Sequence, residues 1–314
     1  MDDKGDPRSD IRHYRRLAQK IVRKHFRTEA SRIVYRSSGR TNYVFAVNHV
    51  DGQFVVRISP DAERLDAFRK ERWVSEEARK AGVPSPEVLA VGNDVSDEPY
   101  MITRRVTGTE ASHHPKRNRI INEMGRYAAM INSIRTTAFG TNFDWSSHGV
   151  KHRTWGDYLK EEFQIETRIE FFEKHRLLPK TRLRELIHTI EGSSNARIKP
   201  SLNHGDLRLK NVIVDDDGEI VAFLDWEDCL STIAPQWELS IALHDLSIDE
   251  KQSFVEGYGL SHRRVEEMAP LIKAFNIINY YAVADQAIQQ RDRRKLAEIK
   301  LRLNGALDLY SLCN

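Results

Sequence analysis

The sequence predicts an α+β chain of two lobes, an antiparallel sheet with one inserted helix followed by a mainly helical half. Three observations predict it. Between Ile33 and Val106 the chain is rich in Val, Ile, Phe and Tyr, in short runs broken by turn residues. One helical pattern, residues 64–81, interrupts those runs. Beyond Gly108 helical spacing dominates, with one short hairpin inside it. Strands first and helices afterwards is the α+β order.

The elements follow in turn. Ile11, Tyr14, Leu17, Ala18, Ile21, Val22 and Phe26 recur at helical spacing, and Ser9 is placed to cap that helix. Residues 33–35, 43–50 and 53–58 read as strands, the last two joined by the tight turn Asp51-Gly52. The helix over 64–81 stops at Gly82, with Pro84 and Pro86 beyond. Strands over 88–91 and 100–106 complete a first lobe, residues 1–106. The second lobe, 107–314, starts at a seam at Thr107-Gly108. Residues 120–134 and 158–174 are helical patterns, with Asp157 placed to cap the latter. Strands over 211–214 and 220–224 flank the turn Asp215-Asp216-Asp217-Gly218, and helices run on from Gln236.

A chain of 314 residues with 40% hydrophobic residues can bury a core of useful size. Its net charge of +3 sets up no field for nucleic acid or a membrane surface, so neither is expected as a partner. Arg291, Arg293, Arg294 and Lys295 fall on a helical pattern and read as a solvated face. Two cysteines, Cys229 and Cys313, are too few for a disulfide framework, and neither has neighbours at metal-ligand spacing. No apolar run has the length of a leader core or a membrane span. The expectation is a cytoplasmic enzyme.

The chemistry-bearing stretch is Asn203-His204-Gly205-Asp206-Leu207-Arg208-Leu209-Lys210-Asn211, followed after the hairpin by Leu224-Asp225-Trp226-Glu227. A hairpin folds the chain back, so Asp225 can return toward Asn211. Hard oxygen side chains of this kind suit Mg2+, which keeps other positions for water and phosphate. Asp206 could accept the proton of an incoming hydroxyl. Singly, Asp206 also suits a turn cap, Asn211 a buried backbone partner, and Asp225-Trp226 a strand end. The spacing of all three together points to chemistry.

His-Gly-Asp, four residues, Asn, a short hairpin and apolar-Asp-Trp resembles the signature of the aminoglycoside phosphotransferase and choline kinase-like family. The resemblance implies a bilobal, protein-kinase-like fold and ATP-dependent, Mg2+-assisted phosphorylation of an alcohol group on a small molecule. It implies Asp206 as the catalytic base or hydroxyl-positioning residue, and Asn211 and Asp225 as the metal-holding pair. Relatives often carry His where Arg208 stands and Gly where Lys210 stands. Arg208 would stabilise charge on the transferring phosphate, and Lys210 reads as solvated.

On the nucleotide side, Ser38 and Gly39 would lie in the phosphate-covering loop. Arg57 would replace the Lys that holds the α- and β-phosphates in many relatives. Glu71 would pair with Arg57, with Glu76 and Glu77 as close competitors. The Arg104 carbonyl and Val106 amide would face the adenine, and Ile213 would join the nucleotide contacts. The acceptor would lie near Glu227, Asp228 and Glu238, although the family's carboxylate at the position of Glu238 often buttresses the catalytic loop. Those three and Asp245, with no Lys or Arg over 229–236, predict a cationic acceptor such as an amine-bearing alcohol or sugar. Two other readings stay open. One is a catalytically silent binding module on the same fold. The other is a protein Ser/Thr kinase, disfavoured because Asp-Phe-Gly and Ala-Pro-Glu are absent.

Overall fold

The structure, a computed structural model, describes residues 7–36, 42–194 and 198–306. Its first elements are α1 (Pro7–Phe26), β1 (Arg32–Arg36), β2 (Tyr43–His49), β3 (Gly52–Ile58), α2 (Leu65–Lys80), β4 (Val88–Gly92), β5 (Tyr100–Arg104) and β6 (Thr109–Glu110). Next come α3 (Arg117–Ser133), the single turn α4 (Trp155–Asp157), α5 (Ile165–Lys174), α6 (Lys180–Ser194) and β7 (Ser201–Asn203). The hairpin β8 (Val212–Val214) and β9 (Ile220–Phe223) leads to β10 (Leu230–Thr232). Five helices close the described chain: α7 (Gln236–Ala242), α8 (Ile248–Tyr258), α9 (His262–Ile278), α10 (Tyr281–Gln289) and α11 (Arg293–Leu301). No described helix is long and apolar enough to cross a membrane.

Two compact units divide the chain. The first joins Met1–Ala111 with Val212–Glu227, and the second joins Ser112–Asn211 with Asp228–Asn314. In the first, an antiparallel sheet runs in the order β1-β2-β3-β5-β4. Alternation decides its buried face: Phe45, Val47, Phe54, Val56 and Ile58 pack with Leu17, Ala18, Ile21 and Val22 of α1. Helix α1 starts at Pro7, so Ser9 lies within it and is not its cap. Proline suits a first turn, whose N–H needs no helical acceptor. The seam expected at Thr107-Gly108 is not where packing divides the chain. Thr109 and Glu110 pair with Val214 and Ile213, which ties the hairpin to the first unit. Gly108 makes this approach at φ 144°, where a Cβ would stand 2.4 Å from the Val214 carbonyl oxygen.

The second unit is mainly helical. Trp155, Phe172, Trp237 and Phe275 anchor its core. Helix α3 crosses α8 at two glycines, Gly125 against the Phe254 carbonyl and Gly257 against the Asn122 carbonyl. The single helix expected over 158–174 is instead broken. Thr154, not Asp157, caps its start by accepting from the Asp157 backbone N–H at 3.1 Å. Tyr158 and Phe163 are both buried, and a five-residue spacing reaches one face only through a π turn, closed by Phe163 N–H on the Tyr158 carbonyl at 2.9 Å. Gln164 then takes φ 52° and α5 restarts.

Candidate active site

Strand β7 delivers the chain into the loop at 204–208 and is fixed from both sides. It pairs antiparallel with β10, Asn203 opposite Leu230. The Asn132 amide donates to the Leu202 carbonyl at 2.9 Å, and the Asn203 amide donates to Thr232 Oγ1 at 2.8 Å. Gly205 makes the turn at φ 82°, with a Cβ position only 2.1 Å from the Asp228 carbonyl oxygen, so no other residue fits there without backbone movement. His204 is wholly buried, and its Nδ1 accepts from the Asp206 backbone N–H at 3.3 Å. It orients the loop.

Glu238, in the first turn of α7, lies beneath this loop with no exposed surface. Its Oε2 accepts from the His204 backbone N–H at 2.6 Å. Burial pushes its pKa up to about 7, against the downward pull of the His204 and Gly205 N–H groups. A fully buried carboxyl cannot touch an acceptor, so Glu238 is a loop buttress rather than a substrate residue.

Asp206 is buried, and four contacts hold it. The Asn211 amide donates to its backbone carbonyl at 2.8 Å and to Oδ2 at 2.9 Å. Arg208 Nε lies 2.9 Å from Oδ1, and Lys210 Nζ lies 2.7 Å from Oδ2. Lys210 is therefore not simply solvated. The sequence signal for this contact is its position four residues after Asp206. Arg208 also reaches Asp245, Nη1 to Oδ2 at 3.4 Å. With its nitrogen on Asp206, Asn211 has Oδ1 as the atom suited to a cation.

The nucleotide-side candidates belong to the first unit. Arg57 stands on β3 between Val44 and Met101. Its guanidinium pairs with Glu71 of α2 and lies 5.5 Å from the Phe68 ring centroid. Burial raises the Glu71 pKa more strongly than Arg57 lowers it. Glu76 instead takes Arg72 at 2.8 Å, and Glu77 takes Lys80 at 2.6 Å. Arg104, at the exposed end of β5, pairs with Glu87 at 2.8 Å, and Val106 is half-buried just beyond it. Ile213 is half-buried on β8, opposite Glu110 and Ala222. Ser38 and Gly39 lie outside the described residues.

Asp225 follows β9 with φ 63°, a left-handed conformation that Asp tolerates better than most residues and that recurs at functional positions. It is exposed, as is Asp228, whereas Glu227 pairs with Arg64 at 2.5 Å. After Asp228 the chain enters β10 and then α7 at Gln236, which leaves little length for an activation segment. Among the described residues, no three His, Cys, Asp or Glu side chains gather as a metal cage. Mg2+ in phosphoryl transfer does not need one, because one or two carboxylates with phosphate and water suffice.

The model of the phosphotransferase enzyme family matches residues 32–271. Over 211 residues the chain is 24% identical to hygromycin-B 4-O-kinase of Escherichia coli, a match covering 64% of this chain and 58% of that protein. The match therefore spans less than two thirds of that relative. A thermostable mutant of aminoglycoside phosphotransferase APH(4)-Ia, solved with AMP-PNP and hygromycin B, has a TM-score of 0.66 at 18% identity, covering 94% of this chain and 98% of that one. The GDP and kanamycin complex of APH(2")-IIia gives 0.64 at 15% identity, with 95% and 99% covered. At these identities the likeness is one of fold.

Proposed function

Because the chain belongs to the phosphotransferase enzyme family, we propose that it transfers the γ-phosphoryl group of ATP to a hydroxyl of a small molecule. The observation that carries this reading is the loop around Asp206: a carboxylate fixed by Asn211, on a glycine turn held by Glu238. Asp206 receives or orients the proton of the acceptor hydroxyl. Arg208 steadies negative charge on the phosphoryl oxygens as the bond to the leaving oxygen lengthens. Arg57, aimed by Glu71, grips the phosphates, and the backbone at Arg104 and Val106 with Ile213 receives the base. Ser38 and Gly39 cover the phosphates. Asn211 and Asp225 hold Mg2+, which when bound neutralises the phosphate charge. Glu227 and Asp228 stand on the acceptor side.

Amine-bearing alcohols and sugars, aminoglycosides among them, are the acceptor class carried over from the relatives. The carboxylates offer that class limited free negative charge: Glu227 is on Arg64, Asp245 on Arg208, and Glu238 is buried. A silent binding module is the second reading, favoured by the two cations already on Asp206. Transfer of labelled phosphate from ATP to a broad panel of hydroxyl acceptors separates the two. Transfer abolished in Asp206→Asn supports the kinase. Transfer that survives it removes Asp206 from the chemistry, and no transfer to any acceptor supports the silent module.

A further inference from the structure

Helix α1 carries seven Lys and Arg residues and one carboxylate, Asp10. Its apolar face, Leu17, Ala18, Ile21 and Val22, is buried against the N-terminal sheet. On the opposite face Arg12, Arg16, Lys20 and Arg23 recur every three or four residues, all exposed, with Arg15 beside them. At a rise of 1.5 Å per residue they make a row about 16 Å long. Arg27, exposed just past the helix end, extends it. Asp10 acts instead on Tyr14 and Tyr43, which pack toward the sheet.

Other cationic helices carry their own neutralising carboxylates. On α2, Arg72 pairs with Glu76 and Lys80 with Glu77; on α9, Arg263 and Arg264 pair with Glu267; on α11, Arg294 pairs with Glu298. Along α1 the contacts are Lys24 with Asp94, His13 with Glu98, and the loose approach of Arg23 to Glu29 at 3.7 Å. Arg12, Arg15, Arg16 and Lys20 make no ion pair among the described residues. Like charges one turn apart repel, so the row costs α1 stability and returns no contact inside the fold. Residues that break a local rule without a compensating contact are those expected at functional positions. Over residues 1–27 nine Lys and Arg stand against four Asp, an excess of five in a chain whose total is +3. A surface field follows the charges within a Debye length, about 8 Å at physiological salt, and not the total.

We propose that the exposed face of α1 docks on the phosphate backbone of a nucleic acid, a role independent of the kinase reading above. A regular row of cations matches a regular row of phosphates, and each cation seated on a phosphate releases a condensed counterion. Arg12, Arg15, Arg16 and Arg23 outnumber Lys20 in the row, and a guanidinium grips phosphate oxygens bidentately. An anionic membrane fits this face less well. An amphipathic helix binds a bilayer by sinking its apolar face into it, and the apolar face of α1 is already in the core. Contacts of this kind fix position along the backbone and read no base sequence.

The test titrates the full chain against labelled oligonucleotides, single-stranded and duplex, of RNA and of DNA, and follows fluorescence anisotropy across a salt series. Binding is expected at about 50 mM salt, and it should weaken on the order of 10²-fold by about 200 mM as roughly four counterions are released. The triple variant Arg12→Gln, Arg16→Gln, Lys20→Gln should weaken binding at least tenfold at the lower salt and reduce the salt slope by about three, one for each cation removed. Arg16→Gln alone, with the slope reduced by about one, serves should the triple variant fail to fold. Arg263→Gln with Arg264→Gln, which removes the paired cations of α9, should move affinity less than twofold. Preference among the four probes identifies which nucleic acid the face takes. The proposal is overturned if no probe binds, if the α1 variants bind like wild type, or if the α9 variant weakens binding equally. It is overturned as well if anionic phospholipid vesicles or polyglutamate bind the chain more tightly than every nucleic acid.

Discussion

Asp206 gathers more of the site's organisation than any other side chain, with Asn211, Arg208 and Lys210 on it and His204 behind its backbone. Asp206→Asn should lower kcat about 10²–10⁴-fold, the usual contribution of a positioned base, with nucleotide affinity within twofold of wild type. Single-turnover kinetics and nucleotide titration check both halves. Glu238 makes a different prediction. Burial raises its pKa on folding to about 7 from the ordinary 4.5 of a glutamate. Between those pH values the native state holds more protons than the unfolded state, so stability falls as pH rises, by on the order of 3 kcal/mol in all. Glu238→Gln keeps an oxygen for the His204 N–H and removes the titration. Its melting temperature should therefore fall less than that of wild type between pH 5 and pH 7, and parallel pH profiles would disprove the assignment.

At the scale of elements, the crossing of α3 and α8 depends on missing side chains. A Cβ on Gly257 would stand 1.8 Å from the Asn122 carbonyl oxygen, and one on Gly125 would stand 2.0 Å from that of Phe254. Neither helix can yield locally, because the obstructing atoms are backbone. Gly257→Ala and Gly125→Ala should each destabilise by about 1–3 kcal/mol, as overpacked sites do. Gly192 in α6 has nothing within 4 Å of its Cβ position. There alanine should be neutral, or stabilising by up to about 1 kcal/mol through helix propensity. Denaturant melts of the three variants check the contrast. The strand β3 and helix α2 are joined by Arg57 on Glu71. Arg57→Ala should weaken nucleotide binding and lower turnover together, and Arg57→Lys should keep more of both. An alanine variant indistinguishable from wild type would return Arg57 to a purely structural role.

For the molecule as a whole, the compact units do not follow the simple cut at residue 106. The hairpin of β8 and β9 belongs with the N-terminal sheet, so Asp225 falls in one unit and Asn211, one residue before β8, in the other. Asp225→Ala should raise the Mg2+ concentration for half-maximal activity at least tenfold, and more than Asn211→Ala, because only Asp225 brings a full charge to the ion. Magnesium titrations at fixed nucleotide decide it. An unchanged requirement in Asp225→Ala would remove that residue from the site.

The sequence alone carries the α+β order and the run from His204 to Asp225. Alternation and helical spacing are local, and so is the motif, so each is written in consecutive residues. It also contained the strand cation and its three candidate partners. Packing selects Glu71 as the partner of Arg57, since Glu76 and Glu77 stand on the same helix and differ in the direction in which α2 presents them. It decided, too, that β7 and β10 form a pair, because three-residue buried strands are too short to show alternation. Charge was the least legible property. Glu227, Asp228, Glu238 and Asp245 make an acidic run in one dimension. In three, Arg64 and Arg208 come from distant or preceding segments, and burial removes Glu238 from any surface. Lys251 of α8, Lys273 of α9 and Arg302, just beyond α11, line one cavity only once those segments have packed. A field is a sum over space, and sequence separation carries almost none of that information.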